Sequence, residues 1–502
     1  MSTRITRRRF LRATGAGAAW VALAGTLGCE STRRLRAEPP AARGRQTWSF
    51  RSRPEFEPPV IDVSTPARGT AAGYVFIAPK NGPKESGPGQ DGAMILEDSG
   101  AIVWFHPLFR EDRDIMDFKV QRYRGEPVLT WWEGVHTSFG QGEYVLFDGS
   151  YREIARVRAG NGLQGDHHEF LISPRDTALF TIYHKVPADL SPVGGPEDGF
   201  VLDGIAQEVD IETGEVLFEW HSLEHVGLEE SYASPPQDPR FAFDYFHINS
   251  IDVDHDGNLL VSSRVTSTVY KVDHQTGRII WRLGGKHSDF EHGPGTRTRF
   301  QHHARRQPDG TFTIFDNGAY KKVEQSRGIV LRLDEEAMTA RLIRTYTHPD
   351  KIFSATQGSM QPLPNGNVFV GWGSAPHFSE FDHDGDLIFS ADFPPEAESY
   401  RAFRCEWTGR PHENLSIAAE RGSGNDVTIY VSWNGATEVA SWQVLAGPDL
   451  DQMEPLGNAP RRHFETAITV NTTEPYVGVQ ALDRSGKELG TGKAVEFKRA
   501  KG

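Results

Sequence analysis

A strand–turn–strand pattern recurs between residues 73 and 395 and restricts the chain to a repetitive, strand-rich fold. Clear copies are LEDSGAIVW (residues 96–104), VDIETGEVLFEW (209–220) and VDHQTGRIIW (272–281). Each copy is an apolar strand, a turn containing Asp or Gly, and a second strand that ends on Trp. Because Asp and Gly favour tight turns, these copies predict antiparallel hairpins. The 51 Gly and 31 Pro, without long helical periodicity, also indicate an all-β chain.

A second hairpin signal precedes most of these copies and completes units of four strands. It reads DHDGNLLV (residues 254–261), QPDGTF (307–312) and PNGNVF (364–369). Repeated four-stranded units are typical of a β-propeller. We predict a six-bladed β-propeller over residues 60–400, with units at about 73–107, 116–158, 167–222, 247–285, 302–347 and 357–395.

The pattern changes after residue 400. The segments TIYVSW (428–433), VASWQV (439–444), AITV (467–470) and YVGVQA (476–481) alternate apolar and polar residues across short turns. This predicts a fibronectin-like β-sandwich over residues 401–502. Since the sandwich contains no cluster of titratable residues, we interpret it as a packing or interaction module.

The N-terminus has the features of an export signal. A twin-arginine segment, TRRRFLR (residues 6–12), precedes an apolar run at residues 13–28. That run is too short and too rich in Ala and Gly to span a bilayer as a stable helix, and no polar face recurs in it as an amphipathic helix would require. We predict a Tat signal over residues 1–29 and export to the periplasm or cell envelope.

Two further predictions concern the region around the end of the signal. Cys29 follows the small residue Gly28, a pattern that favours lipid attachment and anchoring to a membrane. Residues 30–59 are rich in Arg, Pro, Ala and Ser, which predicts a linker.

Charge and cysteine content exclude several classes of function. The net charge is −14, and removing the five arginines of the signal would make it −19. Such an acidic protein lacks the basic surface that nucleic acids require. Cys29 and Cys405 are the only cysteines, so the sequence predicts neither a disulfide framework nor a cysteine metal site.

Three histidines occupy the same position in successive units, at the start of the first strand. Aligning the units on their turns places His168 eight residues before Asp176, His247 nine before Asp256, and His302 seven before Asp309; in the sixth unit Gln357 lies eight before Asn365. Because the first strands of propeller blades line the central channel, these histidines should meet near one mouth. Arg264, at the end of the second strand of the fourth unit, should reach the same space.

Three interpretations of this cluster remain open from the residues alone. Each histidine can be a structural residue at a strand end. Three neutral imidazoles can hold Zn²⁺ with an open coordination position. One histidine can be a nucleophile while the others and Arg264 stabilise an anion. The third interpretation explains the arginine, because a guanidinium repels a metal ion but holds sulfate or phosphate oxygens.

At these motifs the sequence resembles the PAPS-independent arylsulfotransferase family, in the branch with a C-terminal sandwich. The matching segments are DHHEF (166–170), TAL (177–179), VGGP (193–196), DG (203–204), FHINSID (246–252), SSR (262–264), WRLGGK (281–286), FQHHAR (300–305), FDNG (315–318) and YVSWNGATEV (430–439). They span most of residues 70–490. The sequence departs from the family pattern at Val265 and His303.

The resemblance implies transfer of a sulfuryl group from a phenolic sulfate ester to a phenol, without a cofactor or metal. By that resemblance His302 would be the nucleophile and form a sulfohistidine. His247 and Arg264 would bind the sulfuryl oxygens, and His247 or His168 would protonate the leaving phenolate. Asn249 would orient His247 within the substrate site.

Trp131 and Trp132 have two interpretations, either as a platform for the substrate phenol or as core residues of a blade. Two alternative functions also remain: a non-catalytic, envelope-anchored propeller that binds a ligand or a protein, and a metal-dependent hydrolase.

Overall fold

The computed structural model describes residues 35, 37–38, 46–81, 87–110, 112–137, 139–318 and 325–497. These residues are dominated by β-strands, and their helical segments are the short 3₁₀ helices Ser191–Val193, Ser222–Glu224 and Leu228–Glu230. Within the described residues, no helix has the length and apolar character needed to cross a membrane. The predicted all-β class is confirmed. The predicted Tat signal, including Cys29, lies outside the described residues.

The described strands, in chain order, are β1 (Ala37–Glu38), β2 (Asp62–Thr65), β3 (Tyr74–Ile77), β4 (Lys80–Asn81), β5 (Gly92–Leu96), β6 (Ile102–Pro107), β7 (Asp114–Tyr123), β8 (Glu126–His136), β9 (Gly140–Phe147), β10 (Glu153–Val157), β11 (Gly165–Ile172), β12 (Thr177–Ala188), β13 (Gly199–Asp210), β14 (Val216–His221), β15 (Ala242–Phe243), β16 (Ile248–Val253), β17 (Leu259–Ser263), β18 (Thr268–Val272), β19 (Ile279–Gly284), β20 (Glu291–His292), β21 (His302–Arg306), β22 (Phe312–Asp316), β23 (Arg327–Asp334), β24 (Thr339–Tyr346), β25 (Ser359–Pro362), β26 (Val368–Gly371), β27 (His377–Phe381), β28 (Leu387–Asp392), β29 (Ala397–Glu398), β30 (Ala402–Cys405), β31 (Ser416–Arg421), β32 (Asp426–Ser432), β33 (Ser441–Gly447), β34 (Glu454–Pro460), β35 (Glu465–Asn471), β36 (Tyr476–Leu482), β37 (Glu488–Thr491) and β38 (Val495–Glu496).

Most of the chain forms consecutive antiparallel groups of four strands. These groups are β7–β10, β11–β14, β16–β19, β21–β24 and β25–β28, of which the first two are joined where Gly142 of β9 pairs with Gly165 of β11. Their hairpins close on the predicted turns: in the β16–β17 turn the N–H of Gly257 donates to the carbonyl of Asp254 at 2.9 Å. Gly257 has φ of +84°, which a residue without a side chain adopts at little cost.

One further group of four joins distant parts of the chain. Strand β30 pairs with β3, which continues through β5 to β6, and the register places Val75 opposite Arg404. The first strands of the groups then contact one another in the cyclic order β30, β7, β11, β16, β21 and β25. These groups of four strands therefore close into a ring.

The C-terminal strands form two sheets that enclose a separate core. One sheet has the order β1–β35–β32–β31, and the other has β34–β33–β36–β37 with β38 beside β36. Trp442, Ile429 and Val479 are buried between them. Asn434 joins this part to the ring, because its amide and the peptide of Phe105 exchange two hydrogen bonds of 2.9 Å.

Two predicted domain boundaries need correction. The linker predicted for residues 30–59 does not extend over residues 46–59, because Phe50 and Phe56 in this stretch are buried. Their rings contact Phe464 and Phe105 at centroid distances of 4.5 and 5.6 Å, and such burial outweighs the polar character of the stretch. At the other end, the strand Ala402–Cys405 belongs to the ring, so the C-terminal part begins after residue 405 and not at 401.

Candidate active site

Three histidines lie at equivalent positions in successive groups, and the structure brings them together. His168 lies in β11, His247 directly precedes β16, and His302 begins β21. The rings of His168 and His247 meet edge to face, with centroids 4.8 Å apart. Strand β16 contacts both β11 and β21, and His302 lies near enough to this pair for charge on His247 or His168 to lower its pKa. We call these three residues the histidine site.

Gln357 holds the equivalent position in the sixth predicted unit and also reaches the site. Its peptide N–H lies 3.2 Å from Nε2 of His302, close enough to donate a hydrogen bond. Gln357 has φ of +66° and precedes Gly358, so the backbone turns sharply at this point. The alignment of units thus identified four residues that converge.

The three imidazoles differ in the partner that each Nδ1 contacts. Nδ1 of His168 lies 2.5 Å from Oδ1 of Asp166, and Nδ1 of His247 contacts Oδ2 of Asp244. Nδ1 of His302 instead lies 2.6 Å from Oδ1 of Asn317. A carboxylate compensates the charge of a protonated imidazole, whereas an amide oxygen is neutral. His302 is therefore the member of the site whose Nδ1 partner offers no compensating charge.

The bonds of Asn317 determine which nitrogen of His302 carries the proton. Its Nδ2 donates to the carbonyls of Ser354 and Gln357 at 3.0 and 2.9 Å, which leaves Oδ1 facing His302. Since Oδ1 can only accept, Nδ1 of His302 must be the donor. The lone pair then lies on Nε2, the nitrogen that faces the peptide of Gln357.

Burial and charge keep His302 neutral. Burial lowers the pKa of His302 well below its usual range, and the cation of Arg264 lowers it further. Burial also lowers the pKa of His168, against the opposing effect of Asp166. A neutral imidazole is the form that acts as a nucleophile, once its lone pair is released from the Gln357 peptide.

Arg264 supplies a cation beside these imidazoles. Its peptide N–H donates to the carbonyl of His247 at 2.9 Å, which ties the end of β17 to the start of β16. Its guanidinium lies over the ring of Phe300 at 4.9 Å, and Nη2 donates to the carbonyl of Ala355 at 3.3 Å. A fixed guanidinium next to a neutral imidazole suits the binding of an oxyanion.

Comparison of the sequence with known protein families gives one match. The sequence profile of a family described as arylsulfotransferase (ASST) matches residues 119–394, more than half of the chain. The chain belongs to the arylsulfotransferase family. The matched range includes all three histidines of the site and Arg264.

Several solved structures share a general likeness with this arylsulfotransferase family member. A protein of unknown function from Bacteroides caccae has 14% identity and a TM-score of 0.39, with 66% of this chain and 98% of that chain covered. Virginiamycin B lyase from Staphylococcus aureus has 9% identity and a TM-score of 0.33, with 82% of this chain and 99% of that chain covered. An alpha-L-arabinanase from Penicillium chrysogenum has 11% identity and a TM-score of 0.34, with 71% of this chain and 93% of that chain covered. Comparison with curated proteins finds no match.

Asn249 does not lie where a substrate would contact it. Its side chain is fully buried, and Nδ2 donates to the carbonyl of Gln301 at 2.7 Å. This bond links β16 to the residue that precedes His302. Asn249 therefore holds His247 and His302 in register, which corrects its assignment as a substrate-binding residue.

Trp131 and Trp132 are core residues, so the substrate-platform interpretation is wrong. Both indoles are fully buried. Trp131 packs against Phe147 with centroids 4.6 Å apart. Trp132 donates from Nε1 to the carbonyl of Gly165 at 3.0 Å, and its ring is so close to Gly134 that a Cβ there would lie 2.6 Å from it. Neither ring has a free face for a phenol.

Replacing Trp131 by Phe should therefore affect stability and not substrate binding. We expect the free energy of unfolding to fall by about 1–3 kcal/mol, because the smaller ring leaves a cavity among buried aromatic residues. Denaturant unfolding checks this, with the partly exposed Trp433→Phe as a control. A raised KM for an aryl sulfate without loss of stability would restore the platform interpretation.

The donor atoms of the site do not favour a metal. Within the described residues, the metal-like group is Asp166, His167 and His168, whose ligand atoms lie within 4.8 Å of one another. Asp166 already accepts hydrogen bonds from the peptide N–H groups of His168 and Gly140 as well as from His168 Nδ1. A metal ion would have to replace these bonds. His168, His247 and His302 do not form such a group among the described residues.

Sequence reasoning missed the residues that set the roles of the three histidines. Asp166, Asp244 and Asn317 each contact one Nδ1, but only the side-chain orientations reveal this. The quoted motifs DHHEF and FDNG already contain Asp166 and Asn317. The remaining partner, Asp244, lies three residues before His247. This short spacing is a sequence signal that could have indicated their contact.

A buried ion cluster beside the site was also missed. Arg401 Nη1 lies 2.9 Å from Oδ1 of Asp117 and 3.1 Å from Oε1 of Glu169, and Lys119 Nζ lies 2.7 and 2.9 Å from the same two side chains. Arg305 also pairs with Glu169. Burial raises the pKa of Glu169, but these cations together hold it well below its usual range. The cluster joins the first strands of several groups and so stabilises the strands that carry the histidines.

Proposed function

We propose that this protein transfers a sulfuryl group from a phenolic sulfate ester to a phenol through a sulfohistidine on His302. The observation that carries the proposal is that the neutral imidazole of His302 lies near Arg264 and near two imidazoles whose Nδ1 atoms contact carboxylates. Membership of the arylsulfotransferase family supports transfer to or from an aryl substrate. Sulfuryl transfer resembles phosphoryl transfer, in which positioning and cationic stabilisation provide most of the catalysis.

In the first half-reaction, Nε2 of His302 attacks the sulfur and the bond between sulfur and the phenolic oxygen breaks. Arg264 stabilises the negative charge on the sulfuryl oxygens. Asn317 Oδ1 accepts from Nδ1–H, which gains positive charge when Nε2 becomes sulfated. His247 Nε2–H protonates the departing phenolate, and Asp244 compensates the proton that His247 carries beforehand.

In the second half-reaction, the acceptor phenol gives its proton back to His247 and its oxygen attacks the sulfur. The bond between nitrogen and sulfur breaks and His302 returns to its neutral form. His168 is less suited to this role, because burial lowers its pKa and so disfavours the protonated form that would donate. His247 is also the more exposed of the two, with 18% of its side chain accessible against 7% for His168.

One observation favours the alternative of a non-catalytic propeller that binds a ligand or partner. The peptide N–H of Gln357 occupies the lone pair of His302 Nε2, and His302 is 1% exposed. Sulfur can approach Nε2 only if the turn at residues 357–358 moves. Crystals soaked with a slowly reacting aryl sulfate test this, since the proposal requires the Gln357 peptide to move away from Nε2.

A direct assay separates the two functions. The purified protein is incubated with a chromogenic aryl sulfate, with and without a phenol acceptor, and the sulfated acceptor is quantified. Release of chromophore that depends on acceptor, with a stoichiometric sulfated product, supports transfer. Hydrolysis without a sulfated acceptor, or no turnover over a broad panel of donors, contradicts it.

Replacing Asp244 by Asn should impair proton donation by His247 selectively. We expect kcat to fall about 10²-fold for a donor with a poor leaving group, such as phenyl sulfate, and little for 4-nitrophenyl sulfate, whose phenolate leaves without help. Leaving-group dependence is the measurement, because a purely structural defect would reduce both rates equally. Asp392→Asn is the matched control, since Asp392 lies 2.5 Å from Nδ1 of His377 outside the site.

The proposal extends to the architecture and location of the protein. The closed ring of four-stranded groups supports a six-bladed propeller, and the two C-terminal sheets support a fibronectin-like sandwich. Export by the Tat pathway and lipidation of Cys29 rest on the sequence. Cell fractionation and mass spectrometry of the mature N-terminus test both, and an uncleaved, cytoplasmic chain would contradict them.

A further inference from the structure

A cavity of about 370 Å³ lies between the ring and the C-terminal sheets, away from the histidine site. Tyr74 and Glu97 line it from the first four-stranded group. Arg461, Arg462 and Arg484 line it from loops of the C-terminal part. Side chains of both parts of the molecule therefore line one polar space that is open to solvent.

The positive charges of this cavity lack close negative partners. No carboxylate oxygen of the described residues lies within 4 Å of the guanidinium nitrogens of Arg461, Arg462 or Arg484. Other C-terminal arginines are paired, as Arg410 is with Glu438. Three unpaired arginines around one cavity are unexpected in a chain with a net charge of −14, where carboxylates outnumber cations.

Of these three arginines, Arg461 is the one whose positive charge is most costly without a negative partner. Its guanidinium is partly buried and donates to the carbonyls of Ala436 and His463 at 2.8 and 3.4 Å. Burial lowers the pKa of Arg461, and the carboxylate of Glu97, which lines the same cavity without forming an ion pair, only partly offsets this. A buried charge that meets only neutral dipoles is costly, and a bound anion would remove the cost.

We propose that this cavity binds a small oxyanion of the sulfate or phosphate type. Guanidinium groups match the oxygens of such anions with pairs of parallel hydrogen bonds. Tyr74 adds a hydroxyl donor, since burial raises its pKa and keeps it protonated. The anion would connect the two parts of the molecule, because its ligands come from both. This site is independent of the proposed sulfuryl transfer.

Binding is tested in the Arg264→Gln background, so that an anion at the histidine site does not contribute. Isothermal titration with sodium sulfate and, separately, sodium phosphate at constant ionic strength should show one saturable site. The double substitution Arg462→Ala and Arg484→Ala should weaken binding about tenfold or more, since it removes two charged donors from exposed positions. Arg341→Ala, an exposed arginine elsewhere, is the control and should not change the affinity.

The result also distinguishes the anion. Tighter binding of sulfate than phosphate, or the reverse, identifies the preferred oxyanion, and either supports the site if the double variant loses it. Thermal melting of the double variant without anion confirms that it is folded. No saturable binding of either anion, or equal affinity in the folded double variant, would overturn the proposal.

Discussion

Replacing His302 by Asn is expected to reduce sulfuryl transfer by on the order of 10³-fold or more. The substitution removes the Nε2 lone pair that attacks sulfur and leaves no other nucleophile in the same position. Asn is smaller, but its Nδ2 takes the place of Nδ1 and can still donate towards Asn317, so the fold should persist. Rates are measured with a chromogenic donor and saturating phenol.

A histidine outside the site provides the control for this substitution. His292 is partly buried and is bonded to Ser288 and Thr296 at 3.0 and 2.9 Å. His292→Asn should retain full transfer activity. Comparable turnover by His302→Asn and by the unsubstituted protein would remove His302 from the mechanism, whatever the overall reaction proves to be.

Replacing Arg264 by Gln should lower kcat about 10²–10³-fold, because the cation that stabilises the sulfuryl oxygens is lost. The same substitution should change the pH dependence. Burial lowers the pKa of His302 most, and Arg264 is the next cause, so removing the cation raises this pKa. His302 must be neutral to attack, and the acidic limb of kcat/KM should therefore move to higher pH.

The direction of that movement separates electrostatic from structural effects. A variant that is merely misfolded loses activity equally at every pH. The exposed Arg278→Gln serves as the charge-matched control and should leave both rate and profile unchanged. An acidic limb of Arg264→Gln that stays in place, or moves to lower pH, would show that Arg264 does not act on His302.

The repeated hairpins predicted much of the fold, because Asp, Gly and alternating apolar residues act locally. Ring closure was not predictable in this way. Strand β3 pairs with β30, whose residues are more than 300 positions away, and nothing in Ala402–Cys405 distinguishes a closing strand from the start of a new domain. The burial of Phe50 and Phe56 was hidden for the same reason, since their partners are distant in sequence.

For the site, the alignment of turns placed His168, His247 and His302 at equivalent positions, because the position along a repeated strand determines where a side chain emerges. The difference between their roles could not be predicted. It depends on whether Nδ1 meets a carboxylate or the amide of Asn317, and that is decided by side-chain orientation and tertiary contacts. Trp131 shows the same limit, since a tryptophan side chain suits either a buried core or an aromatic platform for a substrate.

The most direct test of the account is to locate the sulfuryl group on the protein itself. The protein is exposed briefly to an aryl sulfate without acceptor, quenched under conditions that preserve nitrogen–sulfur bonds, and analysed by intact mass and peptide mapping. We expect one added sulfuryl group, on His302, that disappears when phenol is supplied and is absent from His302→Asn. Continued formation of sulfated phenol with no adduct, or an adduct on another residue that is lost on adding phenol, would contradict it.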